Sequence, residues 1–213
     1  MKKTILTIFA IVATVAAFSQ SERYTSAMKQ NISMLDSALS NGKIIDLSNN
    51  FERIANAEKT QWLPYYYASY CTIMDALMRE DKKQVDVIAD KADSLLTKAQ
   101  ELAGNENSEI CVIKSMIATA HMTVNPPGRY MKYGKVSDNY IEKAKQLDST
   151  NPRPVYLQGQ NTFYTPKVFG GGKEKAKPYL EKALAMYARF VPATELSPSW
   201  GKSGTQWFLS QCD

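Results

Sequence analysis

The stretch SDNYIEKAKQL, Ser137 to Leu147, decides the fold. A small residue leads at Ser137, a large aliphatic follows at Ile141, then comes an alanine at Ala144 and an aliphatic again at Leu147. Those steps keep the four positions on one face of a helix. The same order recurs in Ala92, Leu96, Ala99 and Leu102, and in Ala176, Leu180, Ala183 and Met186. The alanine admits a neighbouring backbone at close range and the aliphatic fills the space beside it. A chain that repeats this order predicts helical hairpins stacked in file, each burying the face of the one before.

Working outward, helical periodicity continues through nearly the whole chain and alternating strand patterns are lacking. Tyr24, Met28, Ile32, Leu35 and Leu39 form one apolar stripe, closed by Asn41-Gly42. A second helix runs from Ile45 to about Glu58, and a third begins near Pro64 and carries YYYASYCTIMDALM. A fourth spans Lys82 to Ala103 and ends at Gly104-Asn105; a fifth runs from Ser108 to about Thr123 and is stopped by Asn125-Pro126-Pro127-Gly128. The sixth ends in KAKQLDSTNPRP, the seventh runs from Pro154 to Thr165, and the eighth is KEKAKPYLEKALAMYARF. After Pro192 and Pro198 the chain is turn-rich, with SGTQWFLSQC as a short closing helix.

YIEKAKQLDSTNP and KPYLEKALAMY resemble the second helix of a tetratricopeptide (TPR) repeat, most closely from Asp138 to Tyr187. NPPGRYMKYG, TNPRP, TPKVFGGGKEKA and SWGK look like exported TPR-like proteins of Gram-negative bacteria, whose function is unassigned. The resemblance implies an all-α fold: an α-solenoid of about four TPR-like hairpins plus a short C-terminal capping helix. The alanines at 99, 144 and 183 stand farther apart than the ~34 residues of a regular TPR, so the array is irregular.

The glycines of TPKVFGGGKEKA test for an enzyme. A phosphate loop needs G-x-x-x-x-G-K-[ST] after a strand. Counting back from Gly172-Lys173, the leading glycine is replaced by Lys167, the hydroxyl by Glu174, and the strand by the helical VYLQGQNTFY. The glycines therefore read as a reversal between two helices, with Phe169 expected to pack down as its plug. The only histidine, His121, has no partner at ligand or triad spacing, and no cysteine spacing matches a zinc site. Neither catalysis, metal nor cofactor is expected.

MKKTILTIFAIVATVAAFSQ has a basic start, an apolar run from Ile5 to Ala17 and small residues at Ala17 and Ser19. This is the order of a secretory signal, expected to cover residues 1–19 and leave a domain over 20–213. The apolar run is shorter than the ~20 residues of a membrane span, and no cysteine follows it to carry a lipid. The expectation is an exported chain, periplasmic or secreted, without a membrane span after cleavage. The formal charge of +5 falls to about +3 once Lys2 and Lys3 are removed (5 − 2), and the charges are mixed. No basic block fits a row of phosphates, which argues against nucleic acid. Cys71, Cys111 and Cys212 are an odd set; the first two suit a core, and their pairing stays open.

Two groups of residues are candidates for binding. Trp62, Tyr66 and Tyr70 share a helix stripe, readable as an aromatic wall facing a groove or as core. Arg129, Tyr130 and Tyr133 follow the proline pair, Arg153 follows Asn151-Pro152, and Gln160 and Tyr164 lie on the seventh helix. These are readable as binding groups on loops or as ties between repeats. The expected function is a binding scaffold that holds a peptide or protein partner on its concave face, with a small-molecule ligand as the other possibility. A distant likeness to the periplasmic TPR subunit of TRAP-type transporters supplies the alternative, a solute-binding accessory of a transport system.

Overall fold

A computed structural model describes residues 22–212. The leader expected at 1–19 lies outside the described residues. The described chain is all helical, in four hairpins that follow one another in file. The first pairs α1 (22–33) and α2 (Leu35–Ser40), separated by a tight turn at Met34, with α3 (Ile44–Glu58). The second pairs α4 (Trp62–Met78) with α5 (Val85–Ala103), and the third α6 (Ser108–Thr123) with α8 (Lys135–Leu147). The fourth pairs α9 (Arg153–Tyr164) with α10 (Lys173–Tyr187), against which the closing helix α11 (Lys202–Ser210) packs.

The repeated order does what its spacing requires. Ala92, Leu96 and Ala99, Ser137, Ile141 and Ala144, and Ala176, Leu180 and Ala183 are all buried at the helix contacts. Opposite Leu180 lies Gly159, where a Cβ would stand 2.8 Å from Leu180 Cδ2. Close approach is also fastened by a recurring bond. Ser48 Oγ donates to Ala68 O at 3.0 Å, Ser69 Oγ to Ala92 O at 2.7 Å, and Ser108 Oγ to Ala144 O at 2.9 Å. Each serine satisfies its hydroxyl inside an apolar contact by reaching a carbonyl that an alanine leaves uncovered.

Helix ends follow local chemistry. Gly104 closes α5 with φ +76°, and Asn107 Oδ1 accepts from Ile110 N to open α6. Asn125-Pro126-Pro127-Gly128 stops α6 and immediately starts the next helix: Asn125 Oδ1 accepts from Gly128 N, and Pro126 occupies the first turn of α7 (Pro126–Arg129). A π-helical turn, Tyr130–Gly134, then joins α7 to α8.

The segment from 188 to 201 leaves the stack and lies across α4 and α9. Leu196 and Trp200 are buried there, as is Phe208 of α11. Trp200 stacks on Tyr70 with ring centroids 4.3 Å apart, and Tyr67 Oη donates to Leu196 O at 2.9 Å. The inner face is thus covered by the protein's own C-terminal segment. No described helix is long and apolar enough to cross a membrane.

Candidate functional site

A cleft of about 390 Å³ opens between the π turn, α8, α9 and the glycine loop, within the usual range of ligand pockets. Its floor is α8 and α9. Ile141 is buried there, and Ser137 Oγ, hydrogen-bonded to Ser115 Oγ at 2.9 Å, also accepts from Asn161 Nδ2 at 3.1 Å. The floor's hydroxyl and amide groups are therefore satisfied among themselves. On the polar wall, Glu142 pairs with Lys145 at 2.7 Å. Burial, reinforced by the Glu142 charge, raises the Asp138 carboxyl above its usual range, against the pull of Lys145.

The two rims are apolar and open. On one side the π turn carries Tyr130 and Met131, 46% and 82% exposed. The Tyr130 ring lies over Gly134, where a Cβ would meet its Cδ2 at 3.1 Å and Met122 Sδ at 3.6 Å. The missing side chain at Gly134 is what lets the ring settle beside Met122. A π turn inside a helix is a frequent mark of a functional position.

The other rim is the glycine loop. Gly170 and Gly172 have φ of +86° and +102°, and a Cβ on Gly171 would stand 2.2 Å from Thr165 O. All three glycines are thus required by the backbone, which bears out the reversal read from the sequence. The amides of Gly170, Gly171 and Gly172 donate to Lys167 O, Pro166 O and Thr162 O, so they close the loop and are not aimed at an anion. Phe169 does not plug the turn as expected: it is 74% exposed, at the mouth of the cleft, because the short 3₁₀ segment Lys167–Phe169 directs it outward.

The residues singled out in the sequence fall into three places. Tyr66, Tyr70 and Arg153 are buried in one network. Arg153 Nε donates to both Glu109 oxygens at 2.9 and 3.0 Å and its Nη2 to Glu109 Oε1 at 2.6 Å, while Tyr66 Oη donates to Glu109 Oε2 at 2.6 Å. Burial and the neighbouring Glu109 charge hold the Tyr66 hydroxyl well above its usual value, so it keeps its proton. Burial opposes the charge on Arg153, but Glu109 outweighs it and the guanidinium pKa is raised. Tyr66 and Tyr70 therefore form core beneath Trp200, and Arg153 ties repeats together.

Arg129 and Tyr133 come together around His121. Arg129 Nη1 and His121 Nδ1 both meet Asp86 Oδ1 at 2.7 Å, and Tyr133 stacks on the imidazole at 5.1 Å. Tyr164, 66% exposed, meets Phe208 edge-on at 5.7 Å beside Trp207, itself 54% exposed. Gln160 is half-buried on α9. Cys71 and Cys111 are buried thiols; burial pushes Cys111 up to about 11 and Cys71 higher still. No group of three or more metal-ligating side chains is found among the described residues.

Several residues of consequence were not singled out. Glu109 reads as an ordinary first-turn carboxylate, and Trp200 as part of a turn-rich tail. Met122 has no periodic signature that marks a cleft, and Phe169 reads from the sequence only as a plug for the turn. The π turn offers the one usable hint, because Tyr130 and Tyr133 flank a lysine in a segment rich in large side chains.

No family model matches the chain, and no curated protein matches it. Among solved structures it is similar to the HusA haemophore from Porphyromonas gingivalis, with a TM-score of 0.77 and 35% sequence identity, over 89% of this chain and 92% of that chain. This overturns the expectation of a scaffold for a peptide or protein partner. The relative is named for a small ligand, and the inner face that was to hold a partner is filled by Leu196 and Trp200. With that identity across nearly the full length of both chains, this chain belongs to the family of the HusA haemophore.

Proposed function

We propose that this chain is a haem-binding protein that carries its ligand without bond chemistry, in the cleft between the π turn and the glycine loop. The observation that carries the reading is the 35% identity to a haemophore over 89% of the chain. The cleft supports it with the apolar groups a flat macrocycle needs, Met122, Tyr130, Ile141 and Phe169, at one opening. Asp138 and Glu142 on the inner wall repel the haem propionates, which turn outward. Lys132 and Lys167 stand on the two rim segments to meet them.

The small-ligand half of the sequence reading thus replaces the scaffold. The irregular four-hairpin array is read as TPR-like. Residues 1–19 act as a secretory signal, releasing 20–213 to the periplasm or the exterior.

The test is titration of residues 20–213 with haemin, followed by Soret absorbance and by melting temperature. The expected result is a saturable spectral change and a melting temperature that climbs with ligand. A hundredfold excess over Kd corresponds to ~2.7 kcal/mol of added stability. A linear, unsaturable absorbance with an unmoved melting temperature would refute the assignment.

A further inference from the structure

We infer that Phe169 and Tyr130 are the two ring-stacking faces of the cleft, and that the glycine loop is a preformed jaw that holds Phe169 in place for a planar tetrapyrrole. The inference rests on the haem-binding reading and adds the residues that grip the ligand. Two large rings standing in water at one opening are an unusual use of apolar surface: Phe169 is 74% exposed and Tyr130 46%. They belong to opposite rims, Tyr130 on the π turn before α8 and Phe169 on the loop after α9, and both line the same cleft.

The loop is constructed to present that ring. Phe169 N donates to Pro166 O at 2.9 Å, and the three following amides also donate to backbone carbonyls within the loop and α9. Gly171 has no room for a Cβ against Thr165 O, and Gly170 and Gly172 have backbone angles that other residues rarely adopt. This closed backbone is rigid, so the ring needs little ordering when a ligand arrives, and pre-organisation favours affinity. With the amides of Phe169, Gly170, Gly171 and Gly172 already bonded, the loop around the ring offers a ligand its side chains rather than these backbone groups.

Haemin titrations of wild type, Phe169→Ala, Tyr130→Ala and Phe169→Trp provide the test, with Trp207→Ala reporting on the separate aromatic patch of α11. Stacking of this kind corresponds to a rise in Kd of roughly 3- to 10-fold for each alanine variant. The Phe169→Trp variant should keep wild-type affinity and show indole fluorescence quenched in step with haem uptake. Because both rings are exposed, the melting temperatures of the free alanine variants should stay at the wild-type value. Wild-type binding that survives Phe169→Ala and Tyr130→Ala unchanged, or that is lost in Trp207→Ala alone, overturns the jaw and leaves the haem reading standing. Absence of binding by wild type overturns both.

Discussion

The indole Nε1 of Trp200 donates to the hydroxyl of Tyr66 at 2.9 Å, across 134 positions of sequence. Tyr66 in turn donates a hydrogen bond to Glu109, Glu109 is clasped by Arg153, and Arg153 Nη1 returns to Trp200 O at 3.5 Å. Tyr187 Oη reaches the same carbonyl at 3.1 Å. The ring joins α4, α6, α9, α10 and the C-terminal segment through groups that are almost fully withdrawn from water. It explains why the inner face is closed.

Trp200 should therefore be the anchor of the C-terminal segment. Trp200→Ala removes the stack on Tyr70 and leaves the Tyr66 hydroxyl without its donor, and should cost about 3–5 kcal/mol. Trp200→Phe keeps a ring on Tyr70 but not the indole N–H, and should cost about 1–3 kcal/mol. Urea unfolding distinguishes them; equal losses for the two would mean that the stack on Tyr70 contributes nothing, and an unchanged Trp200→Phe that the hydrogen bond contributes nothing.

Arg153→Met should destabilise by about 3–5 kcal/mol, since it strands the Glu109 carboxylate beside buried tyrosines. Adding Glu109→Leu should recover much of that loss, because an apolar pair replaces an uncompensated charge. The double-mutant cycle, measured at equilibrium in urea, checks this; additive losses would contradict a coupled pair.

The glycine loop separates two kinds of cost. Gly170 has open space around its missing Cβ, so Gly170→Ala should cost only the left-handed backbone penalty of about 1–2 kcal/mol. Gly171→Ala drives a methyl into Thr165 O and should cost more and disturb the cleft rim. Thermal melts of the two variants rank them, and a Gly171→Ala variant as stable as Gly170→Ala would show that the loop yields freely.

Acid should weaken the fold through two surface carboxylates. A hydrogen bond from Arg129, then one from His121, holds Asp86 below its usual range, and hydrogen bonds from Lys114 and Lys143 do the same for Glu106. A lowered folded-state pKa gives stability that is complete above the ordinary carboxylate values of about 3.9 and 4.3, and that disappears as pH falls through the lowered ones. Melting temperature should therefore drop below about pH 4, and the drop should be shallower in Asp86→Asn and Glu106→Gln. Asp138 has the opposite sign: its raised pKa means the charged form is disfavoured in the fold, so Asp138→Asn should raise the melting temperature at neutral pH.

The helices and their order were legible because helix information is local. A small-aliphatic-alanine order at steps of three and four specifies a face within a few turns, and Ser137, Ile141 and Ala144 bury as that order requires. The glycine reversal was legible for the same reason: positive φ is a property of one residue and its neighbours. The candidate site was legible only in pieces. Arg129, Tyr130 and Tyr133 were noticed together, yet Arg129 and Tyr133 meet Asp86 and His121, and of the three only Tyr130 lines the cleft, with Met122 and Phe169. Whether an aromatic stripe is groove or core depends on what covers it, and no local pattern says that Trp200 covers Tyr70.

The sequence by itself determined an all-helical array of nested hairpins, the places where helices stop, and the loss of phosphate-loop chemistry. Only the tertiary structure decided that the C-terminal segment fills the inner face, that Arg153 is consumed by Glu109, and that Phe169 faces water across a cleft from Tyr130. The reason is range: backbone preference and helical periodicity act over a handful of residues, whereas exposure is set by segments that meet in space after more than a hundred intervening positions, as Tyr66 and Trp200 do across 134.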